Sequence, residues 1–202
     1  MPIVYRSQLG RPLTYGEMDG NFADLAGRTD AAWMMDGVEP TIEPGVGNPA
    51  ELKPFLGGIN AYAYAPGSLS ESYANWDVPF NWKADTDLYL ALHYSPGASS
   101  AMGDIRWGLE FTWAPVNGTF SNPTSTQYIV APCSGTPYLH CQTVSAPFPG
   151  SLAQANMRFL IRIFRDGFSG PDTFPDDAFL VGVDFYYQVD KFGLPSFTPP
   201  YP

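Results

Sequence analysis

A chain of 202 residues, 45% of them hydrophobic and 15% aromatic, can hold one domain with its own core plus an arm, or two small domains. Its 20 Asp and Glu against 10 Lys and Arg give a formal charge of −10, which excludes the basic footprint of a nucleic-acid binder and makes isolated copies repel one another. With 21 Pro and 20 Gly, turn chemistry is dense and favours many short strands over long helices. No leader-like apolar run lies in residues 1–12, and no stretch approaches the roughly 20 apolar residues of a membrane span, so a soluble chain made in the cytosol is expected, with no membrane partner.

Residues 1–12 read as an extended arm, with Pro2 and Pro12 around the apolar patch Ile3-Val4-Tyr5. Arms of this kind order on contact with a partner. A helix follows over about residues 14–26. Thr14 and Glu17 form a capping-box pair, and Leu13 with Met18 has the spacing of a hydrophobic staple. Tyr15, Met18, Phe22 and Leu25 then recur at a 3,4,3 spacing, a narrow seam like that of a coiled coil, and Gly27 offers a stop. Isolated helices below roughly 12–15 residues are marginal in water, so the seam must dock on its own domain, on further copies or on a larger partner.

The run Arg11-Pro12-Leu13-Thr14-Tyr15-Gly16-Glu17-Met18-Asp19-Gly20-Asn21-Phe22-Ala23-Asp24-Leu25 resembles the N-terminal motif of bacteriophage tail-fibre and virion-appendage proteins, of the form PLTxxEMDxNFxxL. The likeness is sharp over residues 1–35. The C-terminal run 158–193 is more loosely similar to the closing strands of small phage surface domains. The resemblance implies an anchor built from Leu13, Thr14, Glu17, Met18, Asp19, Asn21, Phe22 and Leu25, a homotrimer, and other virion proteins of capsid or tail as partners. Fibres of this kind are often longer, with repeats and a separate tip, whereas this sequence holds one domain after the motif.

After Gly27, Ala31-Ala32-Trp33-Met34-Met35 reads as a plug over the base of the next domain. Residues 36–58 contain Pro40, Pro44, Pro49 and Pro54 among several glycines, which rules out regular helix or central strand. The expected organisation is therefore an anchor arm and helix over 1–35, a Pro/Gly-rich linker over 36–58 and a β-domain over 59–202.

Within that domain the hydrophobic period becomes two. Leu88, Leu90, Leu92 and Tyr94 alternate along one strand, and Ile105, Trp107, Leu109, Phe111 and Trp113 along a second. Phe159, Ile161 and Ile163 mark a third, and Phe179, Val181, Val183, Phe185, Tyr187 and Val189 a fourth. Weaker strands are expected near 61–64, 72–78, 127–131 and 138–144. Strict alternation is the mark of half-buried antiparallel strands, and about eight of them without intervening helices predict a mainly β fold, a jelly-roll-like β-sandwich carrying a short arm and α-helix. Trp107, Phe111, Trp113, Phe159 and Phe185 are expected between the sheets. Leu160, Phe164, Leu180 and Tyr186 make the opposite face apolar as well, which argues for cover by another subunit over cover by a loop. The prolines of 194–202 predict an extended tail that reaches across a neighbour.

Candidates for chemistry are sparse. Cys133, His140 and Cys141 are too few and wrongly spaced for a metal set, so no metal and no cofactor is expected. The two cysteines could close a loop, but a lone pair does not establish a disulfide. His93 reads as a solvent-side or interface histidine. Asp85 and Asp87 beside Trp82, and Asp172, Asp176 and Asp177 around Phe174, are the carboxylates a glycoside hydrolase would need, but they sit in loops where acidic residues form turns. Cross-strand pairing, for instance Arg162 with Asp184, is the expected role of strand charges. Trp76 and Trp82, with Tyr62 and Tyr64, are the candidate stacking surfaces for a host surface glycan. Together these readings favour a non-enzymatic structural protein of a phage virion, assembled in the host cytoplasm, over a carbohydrate-binding receptor module and, further behind, a polysaccharide hydrolase.

Overall fold

The period-two pattern resolves into two packed sheets in the computed structural model, which describes residues 11–30, 33–38, 48–121 and 124–189. The arm up to residue 10, residues 39–47 of the expected linker, the tail from residue 190, and the side chains of Leu25 and Trp33 lie outside what is described.

Helix α1 (Tyr15–Asp30) leads into strand β1 (Trp33–Val38) and then β2 (Asn48–Pro49), β3 (Glu51–Leu56), β4 (Ile59–Tyr64), β5 (Leu69–Asp77), β6 (Tyr89–Ser95), β7 (Met102–Ala114), β8 (Ser125–Ser134), β9 (Cys141–Val144), β10 (Arg158–Asp166) and β11 (Ala178–Gln188). One sheet runs β3-β4-β11-β6-β9, with β1 also paired to β11; the other runs β2-β5-β10-β7-β8. From β4 onward the chain changes sheet at each connection except the β7–β8 hairpin, the interleaving of a jelly roll. All pairings are antiparallel apart from the short β2–β5 contact.

The expected core residues are where alternation puts them. Leu88, Leu90, Leu92 and Tyr94 meet Ile105, Trp107, Leu109, Phe111, Phe159, Ile161 and Ile163, all nearly inaccessible to water, with Trp113 packed at the margin. Aromatic contacts knit the layers. Trp76 stacks on Phe185 with ring centroids 4.0 Å apart, Tyr64 meets Trp107 edge-on at 5.0 Å, and Phe148 bridges Trp113 and Phe159 at 4.7 and 4.8 Å.

Four expectations need correction. Residues 36–58 are not simply a linker: β1 hydrogen-bonds along the second half of β11, and β3 is the edge strand beside β4. Pro54 is tolerated because an edge position needs no donor on its open side. The sandwich therefore begins before residue 59.

Phe179 and Val181 do not continue the core face of β11. A bulge between Leu180 and Gly182 inserts one residue against β6, so Leu180 turns inward, Val181 is 44% exposed, and alternation resumes at Val183.

The apolar outer face does not call for a subunit. Leu180 belongs to the core, and Phe164 is buried by its own sheet. It lies opposite Gly108 on β7, with its ring where a Cβ would sit (2.1 Å away), the Tyr128 ring 5.9 Å off edge-on, and the Arg162 guanidinium 4.6 Å over its face. Tyr186 accepts a hydrogen bond from Gln142, leaving Leu160 as the exposed member of that set.

Arg162 does not pair with Asp184, because their strands belong to different sheets and their polar faces point to opposite sides of the sandwich. Instead Arg162 bridges Glu71 at 2.5 Å and Glu110 at 3.0 Å, while Asp184 binds His93.

Candidate functional site

The anchor is locally well specified. Thr14 is the N-cap: its hydroxyl accepts from the Glu17 N–H at 3.2 Å, while the Glu17 carboxylate accepts from the Thr14 N–H at 2.8 Å. Arg11 adds a fork, Nη1 and Nη2 donating to the two Glu17 oxygens at 2.9 and 2.6 Å. These bonds, the one from Arg11 first, hold the Glu17 carboxyl down at about 2. The seam beyond the cap has little cover. Tyr15 is 85% and Phe22 70% exposed, Asp19 is exposed, and Leu13, Met18 and Asn21 are half-buried.

The candidate stacking residues fail as a surface. Trp76 is buried, one face against Phe185 and its N–H donating to Asp36 at 2.9 Å. Trp82 is buried too, donating to the Thr86 carbonyl at 3.2 Å. Tyr64 is fully enclosed and bonded to Ser72, and Tyr62 is packed partly against the core. Alternation in β5 could not say which aromatic faced in, and it is Trp76, with Tyr73 only half-buried on the other side.

Each of the acidic loop residues has a structural partner or turn role. Asp85 sits at φ 63°, and Asp87 accepts from the Gly150 N–H at 3.0 Å. Asp172 is enclosed with Arg165, Asp176 accepts from Ser99 at 2.5 Å, and Asp177 accepts from Lys53 at 2.7 Å. His93 lies on the outer face of its sheet, its Nε2 2.6 Å from Asp184 and its Nδ1 2.8 Å from His140 Nε2. Among the described residues no three His, Cys, Asp or Glu side chains converge to hold a metal, and no helix is long and apolar enough to cross a membrane. Cys133 and Cys141 are both free thiols, Cys133 buried, and burial pushes its thiol up to about 12.

A groove that sequence reasoning did not assemble opens at the end of the sandwich where β11 begins. It encloses about 580 Å³ and is lined by Pro54 and Phe55 of β3, the β6–β7 turn with Pro96 and Ser99, Tyr138 before β9, and Pro175, Asp176, Asp177 and Phe179. Phe55 is its hub, meeting Tyr138 edge-on at 5.6 Å and Phe179 at 5.3 Å. Tyr138 is held at φ 57°, its N–H donating to the Gly97 carbonyl at 2.6 Å. Lys53 beside Asp177 has its pKa raised by that hydrogen bond against the opposing effect of burial. With Pro66 of the β4–β5 turn, the residues come from five separate stretches, so no local spacing in the sequence announces them.

No protein-family model matches the sequence, and no curated protein matches it. Among solved structures, several share part of the backbone course. Dimeric latent PorU from Porphyromonas gingivalis shares 12% identity over 80% of this chain and 13% of its own, with a TM-score of 0.38. The CBM22-1–GH10 modules of the Clostridium thermocellum xylanase Xyn10B, complexed with xylohexaose, share 12% over 83% and 28%, at 0.35. The enzymatically active domain of tailspike protein 4 from bacteriophage CBA120 shares 11% over 78% and 19%, at 0.33. The chain thus spans well under a third of each, and likenesses of this size carry no weight for function.

Proposed function

We propose that this chain is a non-enzymatic structural protein of a bacteriophage virion, a short trimeric fibre-like appendage assembled in the host cytoplasm. The arm and helix α1 hold it to capsid or tail proteins, and the sandwich is the exposed body. The observation that carries this reading is the exposure of the seam aromatics Tyr15 and Phe22. A capped 16-residue helix displays Tyr15 and Phe22 to solvent, although apolar residues at that spacing normally lie against something. The motif resemblance supplies the class of partner and the trimer; the seam itself is compatible with two, three or more helices. The pairing of Asp87, Asp172, Asp176 and Asp177 with neighbouring groups supports the non-enzymatic part.

The test is Tyr15→Ser with Phe22→Ser in the intact chain, expressed in infected cells. Neither change touches the Thr14–Glu17 cap or the sandwich, so the protein should fold normally and be missing from purified particles. Undiminished incorporation contradicts the anchor.

A further inference from the structure

The groove around Phe55 is built with more constraint than a surface crevice needs. Tyr138 occupies the left-handed region, which a bulky residue rarely adopts, and non-glycine residues held there concentrate at ligand clamps. Gly97, also left-handed at φ 59°, lets the Phe179 ring sit where its Cβ would be, 2.5 Å away. The stretch that carries Asp176 is fastened by Arg165, wholly buried, which donates Nη1 to the Asp176 carbonyl at 2.7 Å. These contacts together fix the lining at Gly97, Tyr138, Asp176 and Phe179.

The chemistry of that lining selects among ligands. A chain of net charge −10 repels polyanions. Phe55 and Tyr138 touch edge to face at 5.6 Å, leaving no gap between rings to cage an organic cation, and Lys53 already neutralises Asp177. A proline-rich peptide offers carbonyl acceptors and few N–H donors, so it leaves the open lone pairs of the Asp176 and Asp177 carboxylates without a partner. A neutral sugar supplies what is missing. Its hydroxyls donate to carboxylate lone pairs that Ser99 and Lys53 leave open, and its C–H face covers an aromatic ring. We propose that this groove binds a neutral saccharide chain, stacked on Tyr138 and hydrogen-bonded through Asp176 and Asp177. The open-sided shape accepts a segment of a polymer as readily as a free oligosaccharide. The proposal does not rest on the virion reading, and its test involves no particle.

The experiment is calorimetric titration of the full chain with neutral hexasaccharides of glucose, xylose, mannose and galactose, and with a proline-rich peptide. Variants are Tyr138→Gly, which removes the ring and suits the positive φ, Asp176→Asn, and Tyr128→Ala on the far sheet face as control. Saturable binding of at least one hexasaccharide is expected, weakened at least tenfold in Tyr138→Gly and in Asp176→Asn but unchanged in Tyr128→Ala. If Tyr138→Gly fails to fold, Asp176→Asn decides. Absence of saturable sugar binding, binding equal in the folded groove variants, or binding of the peptide alone overturns the proposal.

Discussion

Arg165 and Asp172 form a two-pronged ion pair out of reach of water, Nε and Nη2 of the arginine donating to the two carboxylate oxygens at 2.9 and 2.8 Å. The same guanidinium also donates to the carbonyls of Tyr64, Phe174 and Asp176, and Asp172 accepts from the Arg106 N–H as well. The pair therefore staples the β10–β11 connection to β4 and β7. Burying two charges gains little against an apolar replacement, but removing one partner strands the other. Arg165→Ala should lower unfolding free energy by about 3–5 kcal/mol in urea titration. Replacing both, as Arg165→Met with Asp172→Leu, should recover only part of this, because three carbonyls still lose their donor.

Strand β1 is fastened to the sandwich through a side chain as well as through its ladder. Asp36 accepts from the Trp76 indole N–H, and Trp76 in turn stacks on Phe185 of β11. Asp36→Ala leaves a buried donor without its partner, at a cost of about 1–3 kcal/mol. Amide exchange should quicken along 33–38 before it does in β10. Protection unchanged in β1 would show that the backbone ladder alone holds it.

Gly108 exists to seat Phe164. A methyl there meets the ring at 2.1 Å, and Tyr128 and Arg162 limit where the ring can go. Gly108→Ala should destabilise by about 1–3 kcal/mol, the usual range for overpacking. Combining it with Phe164→Leu should cost less than the sum of the two single changes, since the smaller side chain makes room for the methyl.

The helix cap has a defined pH dependence. Glu17 has its folded pKa depressed from 4.5 to about 2, chiefly by the Arg11 hydrogen bond and then by the Thr14 N–H. A depressed carboxyl contributes stability above its unfolded pKa and loses it as pH falls through the folded one. The cap should thus be intact at pH 5 and release between about 4.5 and 2. The Thr14 amide resonance should titrate in that window, and in Glu17→Gln it should not.

Much of the fold could be read from alternation, because a period of two commits each strand to a core face; β6, β7 and β10 are as the pattern requires. What could not be read was set by events outside the pattern. The bulge at Val181 reverses two positions of β11 without any glycine or proline at the inserted residue. Arg165 continues the inward series Phe159, Ile161, Ile163, and a cation on the core face is itself a signal that a buried carboxylate must follow, as Asp172 does. The helix cap was legible because its partners are three residues apart. The groove was not, because Lys53, Ser99, Tyr138 and Asp176 meet only through tertiary packing.

The central claim is membership of a phage particle, and counting tests it most directly. Purified particles would be analysed by quantitative mass spectrometry for this chain against the major capsid protein. The expected result is stoichiometric presence in a multiple of three: hundreds of copies for a head appendage, a few to a few tens for a tail fibre. Absence from particles whose other structural proteins are all recovered would contradict the claim.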